Sequence, residues 1–359
     1  MMRRRTFNTQ LAAALLAAGS GALSRRVHAQ AAPMRRLASL SPVPPGSPLS
    51  LYLLEQLRQA GFEVGRNLNV DARFAQGDAT RLPALAVELV RGKPEVIVAW
   101  GNEAVAAAKA ATADIPIIMG FGAEPVEAGF VKSLAAPGSH ITGTVWVSGE
   151  IAGKTLDVLL EAVPGTKRVA ALGNPRFPGI ERYNDSFARA ATARRLTVLP
   201  HPVERLGDLD SVLERITADK PDALYVTPDA ITETRGETIA DFALRARLPM
   251  LGVSPQLVQA GGLLYYGPDI EEMAARTVSF LVRILRGAGP GDLPVEQPTR
   301  FRLIVNMKTA RALGLTIPQA LLLRADEVIQ STDAHASTYC GAHVRRVKSA
   351  AIRGHGGQR

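Results

Sequence analysis

Val96-Ile97-Val98-Ala99-Trp100-Gly101-Asn102-Glu103 runs straight into the alanine-rich stretch Ala104–Ala111. The four apolar residues, two of them Val and one Ile, predict a short strand buried on both faces. Gly101 and Asn102 interrupt it, and the stretch that follows has the composition of a helix. A buried strand that feeds directly into a helix is the repeating unit of a parallel α/β sheet. Upstream, Met34–Leu40 reads as a strand and Leu51–Ala60 as a helix stopped by Gly61. Leu68–Phe74 reads as a strand and Leu82–Arg91 as a helix ended by Gly92-Lys93-Pro94. Downstream, Ile115–Met119 predicts a strand, Val126–Leu134 a helix and His140–Val147 a strand that leaves the unit.

The alternation then restarts. Helices are expected over Ile151–Val163, Ile180–Arg195, Leu209–Asp219 and Thr234–Ala246. Strands are expected over Arg168–Leu172, Leu196–Pro200, Ala223–Val226 and Met250–Val253. Beyond Gly261 come a strand at Leu263–Gly267, a long helix at Ile270–Arg286 and a Gly/Pro-rich crossover. A strand at Phe301–Asn306, a short helix at Lys308–Leu313 and the segment Ala320–Ile329 complete the body. The pattern predicts two Rossmann-like α/β lobes joined by hinge crossovers. The first takes residues 30–147 plus 260–288, the second 148–259 plus 289–330.

The chain has 359 residues, 47% hydrophobic and 21% charged, which fits about two ordinary domains and excludes a disordered chain. Its net charge of +9 is concentrated at the ends: residues 1–29 hold five arginines and no acid, and residues 335–359 four arginines, one lysine and no acid. Between them the charges nearly cancel, so no nucleic-acid partner is expected. Arg4-Arg5-Thr6-Phe7, the apolar run Leu11–Ala18 and Val27-His28-Ala29 have the order of an export signal with a small-x-Ala cleavage site. The arginine pair resembles the twin-arginine type. Residues 1–29 are therefore expected to be a signal peptide and the mature protein to be periplasmic, with residues 331–359 a basic disordered tail. A single cysteine, Cys340, excludes a disulfide framework.

In open α/β sheets ligands bind beyond the carboxyl ends of the strands. The loops there are Ser39–Ser47, Trp100–Ala104 and Phe121–Pro125 in the first lobe, and Gly173–Phe177, Thr227–Ala230 and Ser254–Gln256 in the second. They nominate Ser41, Trp100, Asn102, Glu124, Asn174, Thr227, Asp229 and Ser254 as ligand-binding residues. Glu124 could meet a ligand ammonium or cap a helix; Asp229 could contact ligand or cap the helix near Ile231. Asn102 and Asn174 could bond ligand or shape their turns, and Trp100 could stack on ligand or pack at its strand end. No nucleophile elbow, phosphate loop or metal-ligand spacing is present, so no catalytic residue, metal or cofactor is expected. Glu124 with Asp229 is the one pair that could do acid–base work.

Several further stretches carry a family resemblance: Gly61-Phe62-Glu63-Val64-Gly65-Arg66-Asn67, Pro137-Gly138-Ser139-His140-Ile141-Thr142-Gly143, Leu293-Pro294-Val295-Glu296-Gln297-Pro298-Thr299, and the run Asn306–Pro318 with Leu323–Ile329 after it. In these the chain resembles ABC-transporter substrate-binding proteins of the tryptophan/tyrosine type. The resemblance implies a type I periplasmic binding fold, no enzymatic activity, and a monomer that captures a small molecule between its lobes and delivers it to an ABC permease. An amino acid or aromatic compound is the implied ligand; a ligand sensor for a membrane signalling protein is the alternative. Where the family has Asp-Pro, this chain has Glu124-Pro125.

Overall fold

A computed structural model describes residues 34–330, apart from 46–47, 148–150, 228 and 253. The expected signal peptide and basic tail lie outside the described residues.

The first sheet holds β1 (Arg35–Ser41), β2 (Leu68–Phe74), β3 (Val96–Ala99), β4 (Ile117–Ala123) and β5 (Ile141–Val147) in the order β2-β1-β3-β4-β5. Every pairing is parallel. All four residues of β3 are buried, as a central strand covered on both faces must be. Helices α1 (Pro48–Gln59), α2 (Leu82–Arg91) and α3 (Asn102–Ala111) supply its covers. Leu82, Ala86 and Leu89 of α2 join Ala104, Val105 and Ala108 of α3 over one face, the i, i+3, i+4 pattern that drives an amphipathic helix onto a sheet.

The second sheet has seven strands: β6 (Arg168–Gly173), β7 (Thr197–Pro202), β8 (Ala223–Val226), β9 (Met250–Gly252), β10 (Leu264–Pro268), β11 (Phe301–Asn306) and β12 (Glu327–Ile329). Their order is β12-β11-β10-β9-β8-β6-β7. The β10–β11 pair is antiparallel, so an otherwise parallel sheet ends in two reversed strands. Helices α4 (Ala152–Ala162), α5 (Ile180–Ala193), α6 (Leu209–Asp219), α7 (Ala230–Thr234), α8 (Gly236–Arg245) and α9 (Pro255–Gln259) belong to this lobe.

Next come α10 (Ile270–Leu285), α11 (Met307–Leu313) and α12 (Gln319–Arg324). Ala274, Val278, Phe280, Leu281 and Ile284 of α10 pack with Leu37, Val96, Val98 and Ile118, the rear face of the first sheet. Strand pairing therefore sets the crossing points at Val147, Asp269 and between Glu296 and Phe301. Leu264–Pro268 pairs within the second sheet, and Leu293–Glu296 runs against β5: Thr142 Oγ1 donates to Leu293 O at 2.6 Å and Val145 N to Glu296 O at 2.9 Å.

Three local readings differ from the structure. Val126–Leu134 forms turns, not a helix. Ala128 N donates to Glu124 O at 2.9 Å, one helical turn, but Gly129 at φ +71° ends it, and Phe130 and Val131 drop into the core. The helix expected from Thr234 begins at Ala230 and breaks at Arg235, giving α7 and α8. The closing segment divides into α12 and the edge strand β12.

Candidate ligand-binding cleft

All eight nominated residues lie at carboxyl ends of strands or just beyond, and all are buried. Burial of this many polar groups requires partners, and the partners divide the set.

Asp229 sits in the second lobe as the N-cap of α7. Its Oδ1 accepts from Ile231 N at 2.8 Å and Thr232 N at 3.0 Å, and Thr232 Oγ1 accepts from Asp229 N, completing a capping box. Its Oδ2 accepts from Asn174 N at 2.9 Å, which ties the ends of β6 and β8 together. Asn174 Oδ1 accepts from Arg176 N at 2.9 Å, and its Nδ2 points across to Glu103 Oε1 of the first lobe at 3.5 Å. Thr227 Oγ1 donates to Leu172 O at 3.2 Å, and Ser254 Oγ donates to Glu233 Oε2 at 3.2 Å.

Three carboxyls thus converge from two lobes. Burial, with the Asp229 carboxylate facing it, pushes the Glu103 carboxyl up to about 8, against bonds from Ala230 N–H and Asn174. Burial pushes Asp229 up to about 6, against bonds from Thr232, Asn174 and Ile231. Burial raises Glu233 to about 7, with Ser254 opposing and Asp229 adding. Among the described residues, no arginine or lysine is one of the groups that act on any of the three. Sequence reading placed Glu103 at a helix start and did not nominate it, and passed over Glu233. The available signal was that the Trp100–Ala104 and Thr227–Ala230 loops hold Glu103 and Asp229 and no base.

Trp100, at the end of β3, donates from Nε1 to Ser39 Oγ at 3.0 Å. Its ring lies over Gly120, where a Cβ would come within 2.4 Å of Cε3, so only glycine fits there. Trp100, Phe121 and Trp146 follow one another across β3, β4 and β5, with centroids 5.4 and 4.7 Å apart and tilted or edge-to-face geometry. Ser41 closes its own turn through Val43 at 3.3 Å.

Asn102 and Glu124 meet a seam where the lobes touch. Asn102, fully buried, donates from Nδ2 to Ala123 O and to Pro178 O of the second lobe, each at 2.5 Å. Glu124 lies 3.3 Å from Arg182 Nε, and Arg182 NH1 lies 3.0 Å from Glu127. With no helix behind it, Glu124 is not a helix cap. It does not face Asp229; Glu103 does.

Two α/β sheets of mostly parallel strands, whose carboxyl-end loops meet between the lobes, match a type I periplasmic binding-protein architecture. The chain belongs to the ABC transporter substrate binding protein family, whose profile it matches over residues 52–329. It is 27% identical over 263 residues to a tyrosine-binding protein of Clostridioides difficile (strain R20291), covering 73% of this chain and 75% of that protein. A crystal structure of an ABC domain in complex with L-Trp from Streptococcus pneumonia superposes with a TM-score of 0.77 at 25% identity, covering 82% of this chain and 100% of that one. A conserved domain protein from Vibrio cholerae O1 biovar El Tor gives a TM-score of 0.77 at 26% identity, covering 82% of this chain and 99% of that one. The family is one of binding proteins, and capture of a small ligand for ABC transport is the function it defines.

Proposed function

We propose that the cleft captures an amino acid with an aromatic or large apolar side chain. The observation that carries this is the convergence of Glu103, Asp229 and Glu233 with no arginine or lysine acting on them among the described residues. Buried carboxylates want a counter-charge, and an ammonium group placed among them supplies it and releases their raised proton affinity. The Trp100–Phe121–Trp146 row supports an aromatic body beside that charge. The tyrosine-binding relative and the L-Trp complex agree with both features. In this reading Asp229 and Glu103 take the ammonium, Trp100 borders the side chain, and Ser41, Asn174, Thr227 and Ser254 hold the surrounding loops in place to meet the ligand. The protein is exported through its twin-arginine-like signal, works in the periplasm as a monomer, and hands its ligand to an ABC permease.

The test is a thermal-shift series on the purified protein with L-tryptophan, L-tyrosine, tryptamine and indole-3-propionate. A ligand at 100 times its Kd adds about 2.7 kcal/mol to stability. The two amino acids are expected to shift Tm, and indole-3-propionate, which lacks the ammonium, is not. A shift from indole-3-propionate as large as that from L-tryptophan would overturn the assignment of the carboxylates.

A further inference from the structure

We propose that Asn102 and the Pro178-Gly179 turn form a clasp that holds the lobes closed without touching ligand, so that Asn102 sets affinity through the open–closed balance. This rests on the reading of the cleft as a ligand trap. Sequence reading left Asn102 between bonding ligand and shaping its turn; its amide bonds to backbone. Both N–H groups go to carbonyls, Ala123 O in its own lobe and Pro178 O in the other, and Oδ1 accepts from Ala123 N at 2.9 Å. A side-chain amide has two donor hydrogens, so none is left for ligand.

The opposing turn is built for the same approach. Gly179 has φ +84°, and a Cβ there would lie 3.1 Å from Ala123 O, 3.3 Å from Glu124 O and 3.4 Å from Asn102 Nδ2. The second-lobe backbone therefore meets the first-lobe backbone at a distance that glycine tolerates and a methyl group crowds. Gly179 is also the N-cap of α5, whose Ile180, Tyr183 and Phe187 are fixed in the second-lobe core, so the turn cannot retreat without moving the lobe. Arg182, on the first turn of α5, extends the seam outward through Glu124 and Glu127.

A clasp has a signature that a ligand contact lacks. Apparent Kd equals the closed-state Kd divided by the closed fraction, so weakening the clasp multiplies every ligand's Kd by the same factor. Losing a ligand contact changes the ranking of ligands instead.

Gly179→Ala in the full chain tests this with two readouts. Spin labels at Val87→Cys and Leu244→Cys, both exposed, in a Cys340→Ser background report the interlobe distance. The ligand-free parent is expected to show a short-distance population that Gly179→Ala loses. The Kd values for L-tryptophan and L-tyrosine are expected to rise together, about tenfold or more, through faster release, while Tm of the ligand-free protein falls by the strain of a Cβ at φ +84°. Asn102→Ala gives the same readouts if Gly179→Ala does not fold. Unchanged distances, or weakening of one amino acid and not the other, would overturn the clasp. If neither amino acid binds the parent, the ligand assignment falls, and the ligand-free distances still decide the clasp.

Discussion

Glu103 and Glu272 occupy matching positions and have opposite surroundings. Each lies in the opening turn of a helix that packs on the first sheet, and each reaches a segment of the second lobe. Glu272 meets a complete set of donors. It accepts from Arg276 at 2.8 Å and Arg300 N at 2.9 Å, and from Thr299 through both its N–H and hydroxyl; although burial opposes ionisation, these bonds hold its carboxyl down at about 2. Glu103 meets Asn174, the Ala230 N–H and another carboxylate, and is pushed up to about 8. A hinge carboxylate that is satisfied internally belongs to the fold. In the proposed reading Glu103, which faces a second carboxylate where Glu272 has an arginine, is where a ligand ammonium would pair.

The sharpest way to break this contrast is Glu103→Gln. Removing one partner of a buried charge contact is expected to cost about 2 kcal/mol of binding, roughly a 30-fold rise in the Kd of L-tryptophan. Ligand-free stability should not fall, because the amide matches the protonated carboxyl that burial favours at neutral pH. Calorimetric titration checks the first outcome, and an unchanged Kd would place the ammonium elsewhere.

Arg276→Met should do the reverse. Glu272 and Glu296 both pair with Arg276, and stranding them is expected to cost about 1.5–3 kcal/mol in denaturant unfolding. The Kd for amino acids should move less than threefold. A large loss of affinity with unchanged stability would mean that the hinge network serves the ligand after all.

The two carboxyls should also respond to pH with opposite sign. Glu103 is raised from about 4.5 to about 8, so its protonated form favours the folded protein, a contribution fully present below about 4.5 and lost as pH rises through 8. Glu272 is lowered from 4.5 to about 2, so its contribution is present above 4.5 and lost as pH falls toward 2. Ligand-free Tm is therefore expected to decline between pH 5 and pH 8, and Glu103→Gln should flatten that decline. A flat parent profile would remove the argument that these carboxyls face each other unpaired.

The smallest expected effect belongs to an uncharged cleft contact. Trp100→Phe keeps an aromatic ring and deletes the bond to Ser39 Oγ, which should cost about 1 kcal/mol of stability. Binding of L-tyrosine should weaken less than in Glu103→Gln, and a greater weakening would make the ring, not the charge, the main source of affinity.

Much of the fold was legible because strand and helix periods are local. Val96–Ala99 appears as read, and so do Leu82–Arg91, Leu209–Asp219 and Phe301–Asn306. Gly314 ends the short helix as a left-handed cap at φ +74°. Val126–Leu134 failed because its apolar content reflects Phe130 and Val131 entering the core from a turn, not a helical face. The loops at the strand ends were located from the sequence. The roles within them were not, because Asn102, Glu103 and Glu124 stand in nearby loops and their partners are chosen by the other lobe.

By itself the sequence determined the alternating α/β pattern, the strand ends at which polar residues collect, and the family. These depend on spacing and residue type along the chain. The tertiary structure alone decided that Leu264–Pro268 pairs between β9 and a reversed β11, that Asn102 turns to Pro178, that Arg182 takes Glu124, and that Glu103 rather than Glu124 faces Asp229. Glu103 and Asn174 are 71 residues apart in sequence and meet only because three crossovers bring the carboxyl edges of two sheets together. A periodic pattern encodes which side of an element is buried; it does not encode which distant loop arrives to bury it.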